Sequence, residues 1–314
     1  MIRVIAAIGL ILWFVFPHEA NAQPRRTLHD AAGAGRIIAA PYGRGEILRL
    51  TRGGTAVFEA RAQRFEPFGD AAQLAVAPGV TLIGITGWTG GAYCCWTLHL
   101  FQRGPQGIAH VASLPLGKRE PAVLRLMPPG GPGMVLADAA FDFWDAPASR
   151  ASDLHPTIPL HWNGRAVVPD VVAMRRPVSA AIGTACADMT APEEMPPPEQ
   201  RIATYPDIPA AIAALRARDW SARDGVHPGV EAARLAACLV YAGHATEAQR
   251  LLRAAWPEGV PGLAETERQL AARIACSPFA GAVRAANPPR APYTTAACRP
   301  NGPDQTAVYA LDWR

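Results

Sequence analysis

Leu98-His99-Leu100-Phe101, then Arg103-Gly104, then Ile108-Ala109-His110-Val111 is an apolar run, a glycine-marked break and a second apolar run. That order reads as a β-hairpin. The unit recurs upstream as Ile47-Leu48-Arg49-Leu50, Arg52-Gly53-Gly54 and Ala56-Val57-Phe58. It recurs downstream as Ile158-Pro159-Leu160-His161-Trp162, Asn163-Gly164 and Ala166-Val167-Val168. Spacings of about 50 and 60 residues suggest repeated β units.

Outward from these hairpins, residues 35–174 read as β throughout. Arg36–Ala40, Glu46–Leu50, Thr55–Ala60, Thr81–Thr86, Cys95–Gln102 and Ile108–Leu114 are short apolar or alternating runs between glycine breaks. Two architectures fit equally: an incomplete propeller, short of the usual four blades, or a sandwich-like meander. Thr190–Pro209 then carries Pro192, Pro196-Pro197-Pro198, Pro206 and Pro209 among Glu193, Glu194 and Glu199. It reads as a semi-rigid linker. Beyond it, 3.6-residue periodicity predicts helices over 208–286, with Ala242-Gly243-His244-Ala245 as the turn of an αα-hairpin and Leu263–Cys276 as a further helix. The expected fold class is α+β in two domains, mainly antiparallel β followed by an α-hairpin domain. The segments are 1–22 (signal peptide), 23–189 (β repeats), 190–207 (linker), 208–286 (helices) and 287–314 (tail). Tyr309, Leu311 and Trp313 alternate in that tail and offer a closing strand.

Met1-Ile2-Arg3 precedes an apolar run from Val4 to Phe16 and the triplet Ala20-Asn21-Ala22. This pattern is that of a secretory signal cleaved after Ala22. As a helix the run would rise only about 20 Å against a bilayer core of about 30 Å. The expected location is therefore periplasmic or secreted, with no membrane span after cleavage. The composition of the whole chain, 50% hydrophobic and 18% charged, excludes a disordered polar chain. The net charge of +4 is that of 30 basic residues, of which Lys118 alone is lysine, against 26 acidic ones, without any block of five like charges. Nucleic acid is thus set aside as a partner. The arginine bias points to a bacterial source.

Two segments resemble known families. Leu235-Ala-Ala-Cys-Leu-Val-Tyr-Ala-Gly-His-Ala-Thr-Glu-Ala-Gln-Arg-Leu-Leu-Arg-Ala-Ala-Trp-Pro257 is similar to the centre of a tetratricopeptide-type repeat, through Tyr241, Gly243, Glu247-Ala248, Ala254 or Ala255, and Pro257. Thr89-Gly90-Gly91-Ala92-Tyr93-Cys94-Cys95-Trp96-Thr97-Leu98-His99-Leu100-Phe101 resembles a Gly-Gly-x-x-Cys-Cys strand motif of exported bacterial proteins with FG-GAP-like β repeats. Ala137–Trp144 is similar to a stretch of the same group. The resemblance implies a fold and no activity. Tyr93 stands where those proteins commonly carry His, and the Asp-rich calcium loops of true FG-GAP repeats are absent.

Six cysteines, Cys94, Cys95, Cys186, Cys238, Cys276 and Cys298, are even in number, as expected of disulfides in an exported chain. Adjacent Cys94 and Cys95 would point to opposite faces of a strand, and either form a vicinal disulfide with redox potential or pair elsewhere. Cys238 with Cys276 would staple the helices, and Cys186 with Cys298 would lock the two domains. Asp138, Asp142 and Asp145, near His155 and His161, form a candidate cation site, but alternation with Phe141 and Phe143 favours a strand with a solvated acidic face. His99 and His110 would meet across their hairpin only in a favourable register. Trp88, Trp96, Trp144 and Trp162, with Tyr93, are candidate binding residues for a sugar or peptide surface. Catalytic and dinucleotide motifs such as G-x-S-x-G, H-E-x-x-H and G-x-G-x-x-G do not occur, and neither metal nor cofactor is expected. The reading is a non-enzymatic binding or scaffolding module of the cell envelope, with a protein or envelope-polymer partner. Its alternatives are a carbohydrate-binding or carbohydrate-active protein using the tryptophan surface and, lower, a thiol–disulfide protein acting through Cys94-Cys95.

Overall fold

A computed structural model describes residues 25–31, 35–68, 73–90, 95–118, 125–126, 133–142, 154, 156–183, 204–221 and 227–298. The expected signal sequence, Tyr93, Cys94, Trp144, Asp145, His155, Cys186, most of the expected linker and the expected closing strand lie outside these residues.

The chain is α+β: thirteen described strands in antiparallel sheets, then seven described helices. Sheet 1 is a meander of β1 (Arg26–Ala31), β2 (Gly35–Tyr42), β3 (Gly45–Arg52) and β4 (Thr55–Ala62). Sheet 2 orders β5 (Arg64–Pro67), β7 (Val80–Trp88), β8 (Trp96–Gly104) and β9 (Gly107–Gly117), with β6 (Gln73–Ala77) also on β7. Sheet 3 is β10 (Arg125–Leu126), β11 (Met134–Ala137), β12 (Thr157–Trp162) and β13 (Val167–Pro169).

All three hairpins expected from the sequence form, each through its own turn chemistry. Gly53 and Gly54 both take positive φ (56° and 83°), the two-residue turn whose twist matches right-handed strands. Gly104 pairs with Gly107 to close the second. In the third, Asn163 Oδ1 accepts from the N–H groups of Arg165 and Ala166 at 3.0 and 2.8 Å.

Sheet 2 is the middle layer, because strand alternation gives it two apolar faces. Phe65, Ile83, Ile85, Phe101 and Ile108 pack on Ile37, Ala39, Leu48 and Leu50 of sheet 1. Leu74, Leu82, Leu98, Leu100 and Leu114 face the opposite way, into a core shared with Met134, Leu136, Ile158 and Leu160 of sheet 3 and with the helices.

Those helices are α1 (Val171–Met174), α2 (Val178–Gly183), α3 (Ile208–Arg216), α4 (Pro228–Tyr241), α5 (Ala245–Ala255), α6 (Leu263–Cys276) and α7 (Ala280–Ala286). Asp207 caps α3 by accepting from Ala210 N–H at 2.8 Å. Gly243, with φ +88°, turns α4 into α5. Every residue of α4 is buried, enclosed by α2, α5, α6, α7 and β12. Its one acidic residue, Glu231, accepts from Tyr205 Oη at 2.5 Å and from Arg218.

The expected linker does not hold the halves apart, since one hydrophobic core runs from sheet 2 to Tyr293. A buried polar cluster crosses the same boundary. Asp138 Oδ2 accepts from Tyr241 Oη of α4 at 2.5 Å and from Ser277 Oγ, while Oδ1 accepts from Ala140 N–H at 2.8 Å. Arg273 of α6 donates from Nη1 to the carbonyls of Ala140 and Asp142, at 2.9 and 2.7 Å. These contacts correct the reading of residues 138–142 as a strand with a solvated acidic face. Asp138 is the N-cap of a 3-10 turn, Ala139–Phe141, and neither Asp138 nor Asp142 has any exposed surface. Helical partners supply the hydrogen bonds that water would have given.

Cysteine pairing also differs from the expectation. Cys276 is bonded to Cys298, so neither the Cys238–Cys276 staple nor the Cys186–Cys298 lock exists. The bond ties the segment after α7 back onto the end of α6. Cys95, fully buried as expected for one of the adjacent pair, and Cys238 are each disulfide-bonded as well.

Candidate functional site

Two groups of side chains on sheet 2 bring chemistry together, one on each face. The first is a cross-strand row. Register places Arg64 of β5 opposite Trp88 of β7, Trp88 opposite Trp96 of β8, and Trp96 opposite Gly117 of β9. The indoles lie 6.2 Å apart between centroids, tilted by 32°. The Arg64 guanidinium stands 5.0 Å from the Trp88 ring centroid and 5.7 Å from that of Trp96. Both indoles are half-buried, Arg64 is exposed, and Glu66 pairs with it at 3.3 Å. Gly117 has no side chain, and the space one would take is filled by Asp142 and Ala139. Aromatic area beside a guanidinium that can donate hydrogen bonds is a surface suited to a ring-shaped, hydroxyl-bearing ligand.

Of the residues expected to bind, Trp88 and Trp96 are thus brought together. Trp162, also half-buried, is on β12 of sheet 3 and belongs to no common row with them. Arg64 was not anticipated. Only the β5–β7 register reveals it.

The second group lies on the other face, at the rim where sheet 1 covers sheet 2. His99 Nδ1 and His110 Nε2 each stand 2.9 Å from Ser113 Oγ. A β-bulge makes this possible. Leu100 pairs with Ala112 but Phe101 pairs with His110, so Val111 is an extra residue on β9. In a regular strand residues 110 and 113 would face opposite sides; the inserted residue returns them to one side, where Ser113 already faces His99. Phe58 of β4 stacks on His110 with centroids 4.1 Å apart and meets His99 edge-on at 5.6 Å.

Burial and the neighbouring His110 push the His99 pKa down to about 3, and burial lowers that of His110 against a hydrogen bond with the Ala112 backbone that raises it. Both imidazoles are neutral at neutral pH. An unfolded chain binds a proton at His99 below its ordinary value of 6.5, whereas the folded chain does so only near 3. Stability from His99 is therefore complete above pH 6.5 and is lost progressively as pH falls through that window. Between pH 7.5 and 5.0 this one residue should remove about 2 kcal/mol. Urea unfolding of the parent chain and His99→Gln at both pH values checks it; an equal acid loss in both would refute the assignment.

Nitrogen-to-oxygen distances of 2.9 Å fit a hydroxyl held between imidazoles, whereas zinc–imidazole bonds are about 2.0–2.1 Å. Among the described residues no cluster of three or more His, Cys, Asp or Glu is placed to hold a metal ion, and this includes Asp138, Asp142 and His161. Also among the described residues, no helix is long and apolar enough to cross a membrane. In comparisons with protein families, curated proteins and solved structures, nothing matches this chain.

Proposed function

We propose that the protein is an exported binding module of the cell envelope, whose Arg64–Trp88–Trp96 row takes a glycan chain of an envelope polymer. The observation carrying this reading is the cross-strand placement of two half-buried indoles beside an exposed guanidinium. Sugar rings offer apolar faces to indoles and hydroxyls to arginine, and a row across three strands suits an extended ligand. A peptide groove on the α4–α5 hairpin, as a tetratricopeptide-like reading would have it, has less support. Each residue of α4 is already covered.

Export rests on the N-terminal pattern Met1 to Ala22 and on the cysteine pairing. The blade-like reading of the β region is part of the same proposal. Supporting the blades is the succession of three antiparallel sheets along the chain. The helices brace the third of them through α1, α4 and β12.

A pull-down on envelope glycans at several salt concentrations tests the function. Saturable binding is expected, weakened about tenfold by Trp88→Ala or Trp96→Ala, which corresponds to about 1.4 kcal/mol. Unchanged unfolding of the variants in urea would attribute the loss to contact. Binding indifferent to both substitutions, or no saturable binding at all, would remove the glycan assignment.

A further inference from the structure

We propose that Ser113 is an activated nucleophile, able to accept an acyl group from a carboxylic ester, with His110 as its general base and His99 as a donor that orients the hydroxyl. This goes beyond the glycan reading and is independent of it, because the two groups occupy opposite faces of sheet 2.

The proton inventory carries the argument. Ser113 has one hydroxyl proton and two imidazole nitrogens at 2.9 Å, so it donates to one and accepts from the other. His110 turns Nε2 toward Ser113 and is half-buried, so it takes up a proton at less cost than His99, which is 7% exposed. His110 Nε2 is therefore assigned as the acceptor of the hydroxyl proton. His99 must then present Nδ1–H to Oγ. The resulting chain runs from His99 N–H to the Ser113 oxygen and from the Ser113 hydroxyl to His110. A nucleophile, a base within reach and a group that orients the base are the elements of an activated serine.

Ser113 is exposed and His110 half-buried, whereas His99 is buried and Phe58 packs against the core between the sheets. The nucleophile and its base are thus accessible and the remainder is held rigidly. The Phe58 ring fixes the His110 plane by stacking. No element of this group was visible as a motif, because the bulge at Val111 sets it.

In the covalent step Ser113 Oγ forms a bond to the ester carbonyl carbon while its proton passes to His110 Nε2. Collapse of the tetrahedral adduct breaks the ester C–O bond, and the leaving alkoxide takes that proton from His110. Water, deprotonated by the same nitrogen, then releases the carboxylic acid and restores the serine.

Single-turnover labelling with diisopropyl fluorophosphate tests this on the full chain. The reaction forms Oγ–P, breaks P–F and releases fluoride, with the proton going to His110. Peptide mapping should place the adduct on Ser113, formed roughly 100-fold faster than on exposed Ser221, whose hydroxyl donates to Asp219 and to no imidazole. His110→Gln should slow Ser113 labelling by about the same factor. In the parent chain the rate should be level above pH 6.5 and fall only at lower pH, since the base is held neutral below its ordinary range. Labelling of Ser113 no faster than of Ser221, or undiminished by His110→Gln, would overturn the proposal. The comparison with Ser221 and the pH profile need no variant, so they decide the matter even if His110→Gln does not fold.

Discussion

Changing Asp138 to Ala is expected to lower the free energy of unfolding by about 3–5 kcal/mol, a fall of roughly 10 °C in Tm. The estimate follows from what the carboxylate holds. Tyr241 Oη, Ser277 Oγ and Ala140 N–H all donate to it, and Asp138, Tyr241 and Ser277 are buried. Each polar group left without a partner costs about 1–3 kcal/mol. Water can replace the side chain only by opening the contact between sheet 3 and α4. Asp138→Asn keeps an acceptor and the cap of the 3-10 turn, so it should lose less than Ala. Urea unfolding followed by far-UV circular dichroism and by tryptophan fluorescence measures both variants. A loss under 1 kcal/mol for Asp138→Ala would mean that the two halves are not joined through this residue. Separated transitions of the two probes in the variant alone would show that the carboxylate is what makes them unfold together.

Replacing both Cys276 and Cys298 by Ser should cost about 3 kcal/mol, the chain-entropy value for residues separated by 22 positions. The closed loop includes α7 and the segment that follows it. That segment is also held without the bond: Asn287 accepts from Ala245 N–H and donates to the carbonyls of Val240 and Val283, and Tyr293 Oη donates to Glu267 at 3.0 Å. The double variant should therefore keep its helical signal at low denaturant and unfold at a lower midpoint. Non-reducing peptide mapping of the parent chain gives the sharper check. A cross-linked pair of peptides containing Cys276 and Cys298 is expected, and a Cys238–Cys276 pair would contradict it.

Local chemistry made much of the fold readable. Gly53-Gly54, Gly104 and Asn163-Gly164 each act within a few residues, so three hairpins could be placed from turn signals alone. Leu263–Cys276 was bounded by periodicity, and Gly243 marked the end of α4. Weak signals failed where tertiary contacts decide. Arg26–Ala31 is a strand only because β2 is beside it, with a register shift between Thr27 and His29. Residues 138–142 alternate as a strand would, yet the buried partners of Asp138 come from more than a hundred residues away. The α1 and α2 turns, within a segment read as β or as featureless, are too short for periodicity to show.

The candidate groups were legible to different degrees for the same reason. Trp88 and Trp96 were identified by residue type, but their adjacency needed the β7–β8 register. His99 and His110 were considered and set aside, because regular pairing keeps them apart in function. One inserted residue, Val111, reverses that conclusion, and β-bulges have no sequence signature as firm as a turn's. Cysteine pairing is hardest to read. Six cysteines allow fifteen connectivities, and placement on neighbouring helical segments favoured Cys238 as the partner of Cys276, although Cys298 is nearer in sequence.

The burial of α4 on all sides has a consequence for the order in which the protein is made. A chain emerges from the ribosome N-terminus first, so Pro228–Tyr241 is complete before α5, α6 and α7 exist. With α2 and β12 alone it can cover only part of its circumference. Until about the last seventy residues arrive, its alanines, leucines and valines remain in contact with water. This stretch is then the natural footing for a chaperone that holds an unfinished chain, and C-terminal truncation at any point before α7 should leave it as the adhesive surface of the product.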